Sequence, residues 1–304
     1  MKSLVVLGMA SLGLASSVPL AEQQQQPMPF RRGCQVSDDG PVSDAAAAQS
    51  AVWPAGRRDH PGNVTVDVNF HIASTEAQAG LVTDDIVDAQ WRVLRDAFAR
   101  HGINLRLNST ERVVDNLTGS AFFVNDGGGW VSHEDEYDAY LRRTRRGGYD
   151  AMNLYFYSSY APGATGRCRF PTAAALADRA GPDFYGDSCQ ISAMTMPGIT
   201  VDQGGFDIWN RGHIAVHEAG HWFGLNHTFA GGCSDDRGDF VADTPAQRGE
   251  AYDCPAAGLD SCPDLPGLDP VHNFMGYAAD DCTNEFTPGQ AERMFSIFFG
   301  WRRK

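Results

Sequence analysis

The sequence predicts a mixed α+β domain, and three features support this. Residues 63–74 alternate apolar and polar side chains with a period of two, which is typical of a strand with one buried face. Residues 103–107 and 150–160 are two further strand candidates. Between the first two strands, residues 83–102 repeat apolar side chains at helical spacing. With 42% hydrophobic residues among 304, the chain can bury a sizeable core.

The first predicted helix has a defined start and end. Thr83 is a side-chain N-cap, acidic residues occupy the first turn, and Gly102 ends the helix. Further along, a segment rich in Gly, Pro and Asp at 158–211 is interrupted at 191–196 by a pattern that predicts an edge strand.

Two more helices complete the predicted set. Residues 212–224 return to a helical pattern, and the Gly-, Pro-, Asp- and Cys-rich stretch that follows them needs crosslinks to be ordered. Near the end of the chain, Thr287, Pro288 and Gln290 form a capping box that starts a helix with one apolar side.

The amino-terminal residues have the pattern of a secretory signal peptide. Lys2 precedes an apolar run, and small residues follow it up to Ser17. We expect a signal peptide at 1–17, a polar propeptide or flexible arm at 18–58, and the folded domain at 59–304. No later segment reaches the roughly 20 apolar residues that a membrane span requires. The sequence therefore predicts a secreted protein.

Charge and sequons narrow the possible partners. The chain has 24 basic against 38 acidic residues, a net charge of −14, which disfavours nucleic acids and anionic membranes. We expect a monomer with neither partner. Asn63, Asn108 and Asn116 are candidate glycosylation sites. The sequon at Asn226 lies among histidines, where a glycan would obstruct its neighbours, and we expect it to be unused.

The stretch AVHEAGHWFGLNHTF predicts a catalytic metal site. His217 and His221 are four residues apart, so on a helix their imidazoles converge on one point. Gly224 can end the helix in a left-handed conformation and turn the chain, so that His227 becomes the third ligand. Three protein ligands and an open position are typical of catalytic zinc. Glu218 lies near enough to a zinc-activated water to act as general base.

Two other interpretations of these residues are less favourable. A chance coincidence of the five identities is negligible at about 10⁻⁵ to 10⁻⁴ over the chain. A closed structural zinc site is the stronger alternative, but such sites are usually rich in cysteine and have no use for Glu218.

The pattern H-E-x-x-H-x-x-G-x-x-H resembles that of the metzincin metallopeptidases, in which a methionine turn lies beneath the metal. Here HNFMGY supplies Met275. Residues 150–299 are similar to the pappalysin branch, specifically its fungal-type extracellular metalloproteases. The resemblance implies a metzincin-like two-lobed catalytic domain with a twisted mixed sheet, a zinc-binding helix, a Met-turn and a C-terminal helix. At Gly276 this chain departs from that branch, whose members commonly have an acid after the methionine. Tyr277 matches a tyrosine that several metzincins place near the metal, where its hydroxyl could stabilise the oxyanion. The alternative is that Tyr277 only packs.

The resemblance also implies a disulfide pairing, which spacing alone leaves open. It pairs Cys233 with Cys262 and Cys254 with Cys282. We expect Cys168 and Cys189 to join each other.

The seventh cysteine, Cys34, lies in the predicted propeptide. It predicts a latency device, because a thiolate would bind zinc where the catalytic water belongs. Cleavage near Arg57 and Arg58 would release it. The alternative is a free or intermolecularly paired thiol.

An acidic loop resembles a calcium site of the family. Its oxygen-bearing side chains suit calcium, although such loops are often only solvated. They are Asp235, Asp236, Asp239, Asp243 and Thr244.

Taken together, these features predict a zinc endopeptidase that acts on protein or peptide substrates. Asp280 and Asp281 follow the methionine turn and predict a preference for Lys or Arg after the scissile bond. Two alternatives are a secreted binding protein without turnover, against which the intact Glu218 argues, and a zinc hydrolase of non-peptide substrates.

Overall fold

A computed structural model describes residues 62–127, 129–160, 164–234, 238–256 and 258–303, all within one compact unit. The predicted signal peptide at 1–17, the arm at 18–58 and Cys34 lie outside these residues. No described helix is long and apolar enough to cross a membrane.

A five-stranded sheet forms the centre of the domain. Its strand order is β2-β1-β5-β7-β6, in which all neighbours run parallel except the antiparallel β6. The strands β3 and β4 form a separate hairpin. The strands are β1 Val64–Ser74, β2 Ile103–Val114, β3 Phe123–Asn125, β4 Trp130–Ser132, β5 Met152–Tyr157, β6 Gly166–Cys168 and β7 Cys189–Ser192.

The expectation of an edge strand at 191–196 is wrong. The strand there ends at Ser192 and lies inside the sheet, between β5 and β6. The edge is the three-residue strand β6, which is too short to show a period and is defined only by its pairing with β7.

The strand β1 is present as predicted, but only its first residues alternate in burial. From Val68 onward every residue is buried, because β1 pairs with strands on both sides and apolar clusters cover both faces of the sheet. This burial includes His71, whose ring stacks on Tyr155 and whose Nε2 lies 3.0 Å from Oδ1 of Asn153. Desolvation lowers the pKa of His71 from 6.5 to about 4, so the ring is neutral at pH 7.

Helices cover both faces of the sheet. One face packs against α1, which begins at the N-cap Thr83 as predicted, and against α6. The other face packs against α3, through residues that include Tyr140 and Leu141. The helices are α1 Asp84–Ala99, α2 Asn116–Gly119, α3 Glu134–Thr144, α4 Ala173–Ala177, α5 Pro182–Tyr185, α6 His213–Trp222 and α7 Pro288–Ile297.

The chain after α6 is organised by crosslinks and polar contacts. Between Trp222 and α7 the described residues contain no strand beyond one isolated bridge, Asn273–Glu285. Two disulfides, Cys233–Cys262 and Cys254–Cys282, tie this region together. The capping box predicted at Thr287 is present and starts α7.

A buried ion pair joins Arg302 to Asp187, which lies just before β7. Arg302 and Asp187 form two hydrogen bonds, at 2.8 and 3.1 Å, and both side chains are almost fully buried. Nε of Arg302 also donates to the carbonyl oxygen of Trp222 at 2.8 Å, so the C-terminal segment fixes the last turn of α6.

Candidate active site

The start of α6 is fixed by contacts from other parts of the chain. Gly212, the N-cap, has a left-handed φ of +85°, and its carbonyl accepts a hydrogen bond of 3.1 Å from the buried amide of Gln90 on α1. Oδ2 of Asp280 accepts from the backbone N–H of Arg211 at 2.8 Å. The negative charge of Asp280 thus lies at the positive end of the helix.

Three histidine side chains meet at the other end of α6. His217 and His221 lie one turn apart on the helix, and a turn at Gly224, with a φ of +88°, brings His227 back toward them. The three Nε2 atoms lie 3.1, 3.1 and 3.2 Å from one another. Among the described residues this is the one group of at least three His, Cys, Asp or Glu side chains that could hold a metal ion.

The hydrogen bonds of two of these rings fix which nitrogen faces the cluster. Nδ1 of His217 donates to the carbonyl of Phe274 and Nδ1 of His221 to that of Leu225, each at 2.7 Å. A carbonyl oxygen only accepts, so each Nδ1 carries the ring proton and each Nε2 directs its lone pair toward the cluster. Tetrahedral zinc, with bonds of about 2.0–2.1 Å, places its nitrogen ligands about 3.3–3.4 Å apart. The cluster therefore fits zinc.

Glu218 is fully buried beside this cluster. Its carboxylate lies against the backbone of Gly166 on β6, where a Cβ would come within 2.6 Å of Oε1. A larger residue at this position would displace the carboxylate. Nothing in the sequence near Gly166 indicates a strand next to Glu218, so this contact could not be predicted.

The methionine turn packs beneath the zinc-binding helix. A Cβ on Gly220 would lie 2.4 Å from Sδ of Met275, so only glycine lets the helix approach this closely. The backbone N–H of Met275 donates to Oδ1 of Asn273 at 2.9 Å. Asn273 in turn exchanges two amide hydrogen bonds, of 2.8 and 3.0 Å, with Gln290 of α7. The C-terminal helix therefore holds the turn whose backbone orients His217.

Aromatic rings line the cluster. Tyr277 is buried, with its ring centroid 5.0 Å from that of His227 and 5.8 Å from that of His217. Phe170, just beyond β6, places its ring edge-on at 5.5 Å from His221. Tyr277 is predicted from the sequence as a residue near the metal, whereas Phe170 is not.

The two acids after the methionine turn both have contacts within the protein. Asp280 is buried at the start of α6, as described above. Asp281 is exposed and forms an ion pair with Arg211.

The acidic loop is described only in part, because Asp235 and Asp236 lie outside the described residues. Asp243 accepts hydrogen bonds from the hydroxyl of Thr287 and the backbone of Gly289, at 2.7 and 2.8 Å, and so caps α7.

Asp239, in the same loop, is buried, and desolvation raises its pKa to about 7. Its Oδ2 and the hydroxyl of Thr244 are both buried, and the interaction of Asp239 with that hydroxyl acts against the rise in pKa. The side chain of Arg293 is half-buried nearby, and its positive charge acts against the rise in the pKa of Asp239.

The third predicted disulfide and the three candidate glycosylation sites are in the described part of the chain. A disulfide joins Cys168 of β6 to Cys189 of β7, next to Glu218, whose carbonyl oxygen lies 3.5 Å from Sγ of Cys189. Asn63, Asn108 and Asn116 are exposed.

Comparisons with known proteins agree with this geometry. The sequence profile of the Peptidase_M43 family, described as pregnancy-associated plasma protein-A, matches residues 206–298. An extracellular metalloprotease of Pyricularia oryzae is 39% identical over 263 residues, which cover 86% of this chain and 83% of that protein. An extracellular metalloprotease of Podospora anserina is 37% identical over 310 residues, 98% of each chain. A solved structure of mature mirolysin from Tannerella forsythia, in complex with a cleaved peptide, has a TM-score of 0.60 and 21% identity, and the match covers 80% of this chain and 97% of that one.

Proposed function

Since the chain belongs to the Peptidase_M43 (pregnancy-associated plasma protein-A) family of metalloproteases, we propose that it is a secreted zinc endopeptidase with Glu218 as its general base. The observation that carries this proposal is the convergence of three Nε2 atoms within 3.2 Å of one another, with two of the rings fixed by backbone carbonyls.

His217, His221 and His227 would hold the ion. Bound zinc supplies a Lewis acid that polarises a peptide carbonyl and makes water a better nucleophile. Glu218 would take a proton from the water that attacks the carbonyl carbon. When the C–N bond breaks, the carboxylate would pass that proton to the leaving amine. The burial of Glu218 and its contact with Gly166 keep its carboxylate beside the histidine cluster.

The edge strand β6 is a suitable guide for the substrate. It is the terminal strand of the sheet, and among the described residues no strand pairs with its outer side. Gly166 lies against Glu218, and Phe170, two residues past the strand, lies against His221. An extended peptide that hydrogen-bonds to this edge would run along the histidine cluster.

Tyr277 is our candidate for stabilising the oxyanion. Its ring lies beside the histidine cluster, where it packs on His227 and His217. A phenolic hydroxyl can donate to the oxygen of a tetrahedral intermediate, which is typically worth tenfold or more in rate. In a Tyr277→Phe variant kcat should fall while KM changes little, whereas a purely structural role would lower stability instead.

A preference for Lys or Arg after the scissile bond would come from Asp280. Its carboxylate already accepts a hydrogen bond from the backbone N–H of Arg211. Asp280 would therefore act on a basic side chain of the substrate through its negative charge. Asp280→Asn keeps an acceptor and removes the charge. Cleavage-site profiles should lose the basic preference in this variant and keep it in Asp281→Asn. An unchanged Asp280→Asn profile contradicts the preference.

Secretion and latency are proposed from the sequence. The signal peptide at 1–17 would direct export, and Cys34 in the arm at 18–58 would bind the zinc until cleavage near Arg57 and Arg58 removes it. The exposed Asn63, Asn108 and Asn116 are then available for glycans. A Cys34→Ser proform should be active before cleavage, and an inactive one would argue against a thiol latch.

We also propose calcium at the acidic loop, held by oxygens of Asp239, Asp243 and Thr244. The burial of the Asp239 carboxylate and the Thr244 hydroxyl at one loop supports it, and the positive charge of Arg293 opposes it. Isothermal titration with calcium, repeated on Asp239→Asn, tests this, since equal binding by both proteins would place the ion elsewhere.

Digestion of casein tests the central proposal. The matured protein should cleave casein, lose activity with a zinc chelator and regain it with added zinc, while Glu218→Gln should be inactive although folded. Absence of cleavage with binding intact would indicate a silent binding protein. Cleavage of esters or acetylated amines but not of casein would indicate a non-peptide hydrolase.

A further inference from the structure

Arg167 lies at the middle of the edge strand β6. In the antiparallel pair with β7 it stands opposite Gln190, and the neighbouring residues Gly166 and Cys168 are buried while Arg167 is exposed. Side chains alternate along a strand, so Arg167 points away from Glu218 and toward the face of the sheet that α3 covers. Its guanidinium is therefore beside the active site but is not part of it.

The side chain of Arg167 is held in place by an aromatic residue of α3. Its Nη2 donates to the hydroxyl of Tyr137 at 3.2 Å, and its guanidinium carbon lies 5.6 Å from the centroid of the same ring. Such contacts fix the direction of an arginine without neutralising its charge.

Arg167 also differs from nearby arginines in its charge partners. Among the described residues no carboxylate lies within 4.0 Å of its guanidinium. Four other arginines on or near the sheet have such a partner. These pairs are Arg106–Asp67, Arg112–Asp84, Arg146–Glu111 and Arg169–Asp183.

A peptide on the outer edge of β6 would bring one of its side chains to Arg167. When two strands pair, directly opposite residues project to the same face with their Cβ atoms about 4.5–5.5 Å apart. The residue opposite Arg167 would therefore project onto the Tyr137 side, next to the guanidinium. Because the adjacent Gly166 lies against Glu218, this substrate residue would be only a few positions from the bond that is cut.

We propose that Arg167 forms a subsite for an acidic residue, Asp or Glu, close to the scissile bond of the substrate. This inference rests on the proposed endopeptidase function and names a specificity determinant for it. A preoriented cation with no carboxylate partner in the described part of the chain favours a carboxylate on the neighbouring strand, as cross-strand pairs of opposite charge do.

The first experiment is cleavage-site profiling of the matured enzyme on a library of peptides. Wild type should enrich Asp and Glu at one position within about three residues of the cut. Arg167→Glu should replace this with enrichment of Lys and Arg at the same position. Arg169→Gln, whose guanidinium already pairs with Asp183, is the matched control and should keep the wild-type profile.

The second experiment compares two fluorogenic peptides that differ only by Glu or Gln at that position. For wild type, kcat/KM should be about 3- to 5-fold higher with Glu, and the ratio should fall to about 1 for Arg167→Gln. If Arg167→Gln does not fold, Arg167→Lys takes its place and should retain part of the preference.

The outcomes separate this inference from the function on which it rests. If wild type cleaves casein with zinc but shows no acidic preference, or if Arg167→Glu keeps the wild-type profile, the subsite is wrong and the endopeptidase function stands. If wild type cleaves neither casein nor any peptide of the library, both proposals fail.

Discussion

The zinc site joins two regions of the molecule that are stabilised in different ways. His217 and His221 lie on α6, which packs on the sheet within the apolar core and is held at both ends by buried polar contacts. His227 lies past the turn at Gly224, in a region of loops tied by two disulfides and by side-chain hydrogen bonds. Changes in the sheet region away from His217 and His221 should therefore alter stability alone, whereas changes in the crosslinked region should also alter zinc binding.

The largest effect should come from the glycines that end α1 and α6. Gly224 and Gly102 both have a positive φ, of +88° and +76°, and a Cβ at either would clash with a neighbour. An alanine should strain both turns, but only Gly224→Ala should displace His227, the third proposed zinc ligand. We expect zinc affinity and activity to fall about 10- to 100-fold in Gly224→Ala. Gly102→Ala should lose stability alone.

Zinc titration and kcat/KM on the folded fraction of both variants would check this. Equal loss of zinc affinity in the two proteins would remove the distinction between the regions.

Removal of the disulfide Cys254–Cys282 should show that the loops depend on their crosslinks. The loop that it closes has a sequence separation of 28, and constraining such a loop in the unfolded chain is worth about 3 kcal/mol. In the double variant Cys254→Ser/Cys282→Ser, the rate of amide hydrogen exchange should increase much more in the crosslinked region than in the sheet. Uniform acceleration across both regions would contradict this view.

His71 should make the sheet region sensitive to acid. Burial lowers its pKa from 6.5 to about 4, so below pH 6.5 the unfolded chain binds a proton that the folded chain does not. The stabilisation is complete above pH 6.5 and is lost as the pH falls toward 4, by about 2–3 kcal/mol. Urea unfolding of wild type and His71→Gln at pH 7.5 and 4.5 measures it. The variant should lose less stability on acidification, and an equal loss would show that His71 is not responsible.

The smallest effect should come from the N-cap of α1. Thr83 accepts a hydrogen bond from the backbone N–H of Ile86, and loss of such a cap costs about 1 kcal/mol. Thr83→Ala should therefore lower stability by about that amount without a change in zinc affinity. A thermal unfolding curve measures the loss of stability and a zinc titration measures the affinity. A lower zinc affinity in this variant would contradict the prediction.

The sequence predicts the features that depend on neighbouring residues and not those that depend on distant ones. Features that depend on local residues are present as expected, namely β1, the capped α1 and the capping box at Thr287. The histidine spacing likewise carries its geometry within eleven residues. The edge strand was placed wrongly because β6, only three residues long, exists through its pairing with β7.

The contacts that support the site are long-range and were missed for that reason. The amide pair of Asn273 and Gln290 joins residues 17 apart, and Gly166 meets Glu218 from a different element of the fold. The hydrogen bond from Arg211 to Asp280 spans 69 residues, and nothing near either residue indicates it. A sequence shows which residues can carry out the chemistry, whereas the residues that hold them in place become visible only in the folded chain.

The most direct test of the account is the zinc content of the matured protein, measured together with its activity. Wild type should contain one zinc per chain and be active. Glu218→Gln should also contain one zinc but lose at least about 100-fold in kcat, because it keeps the ligands and lacks the base. His227→Ala should lose zinc and activity together. Full activity in protein without zinc, or in Glu218→Gln, would contradict the account.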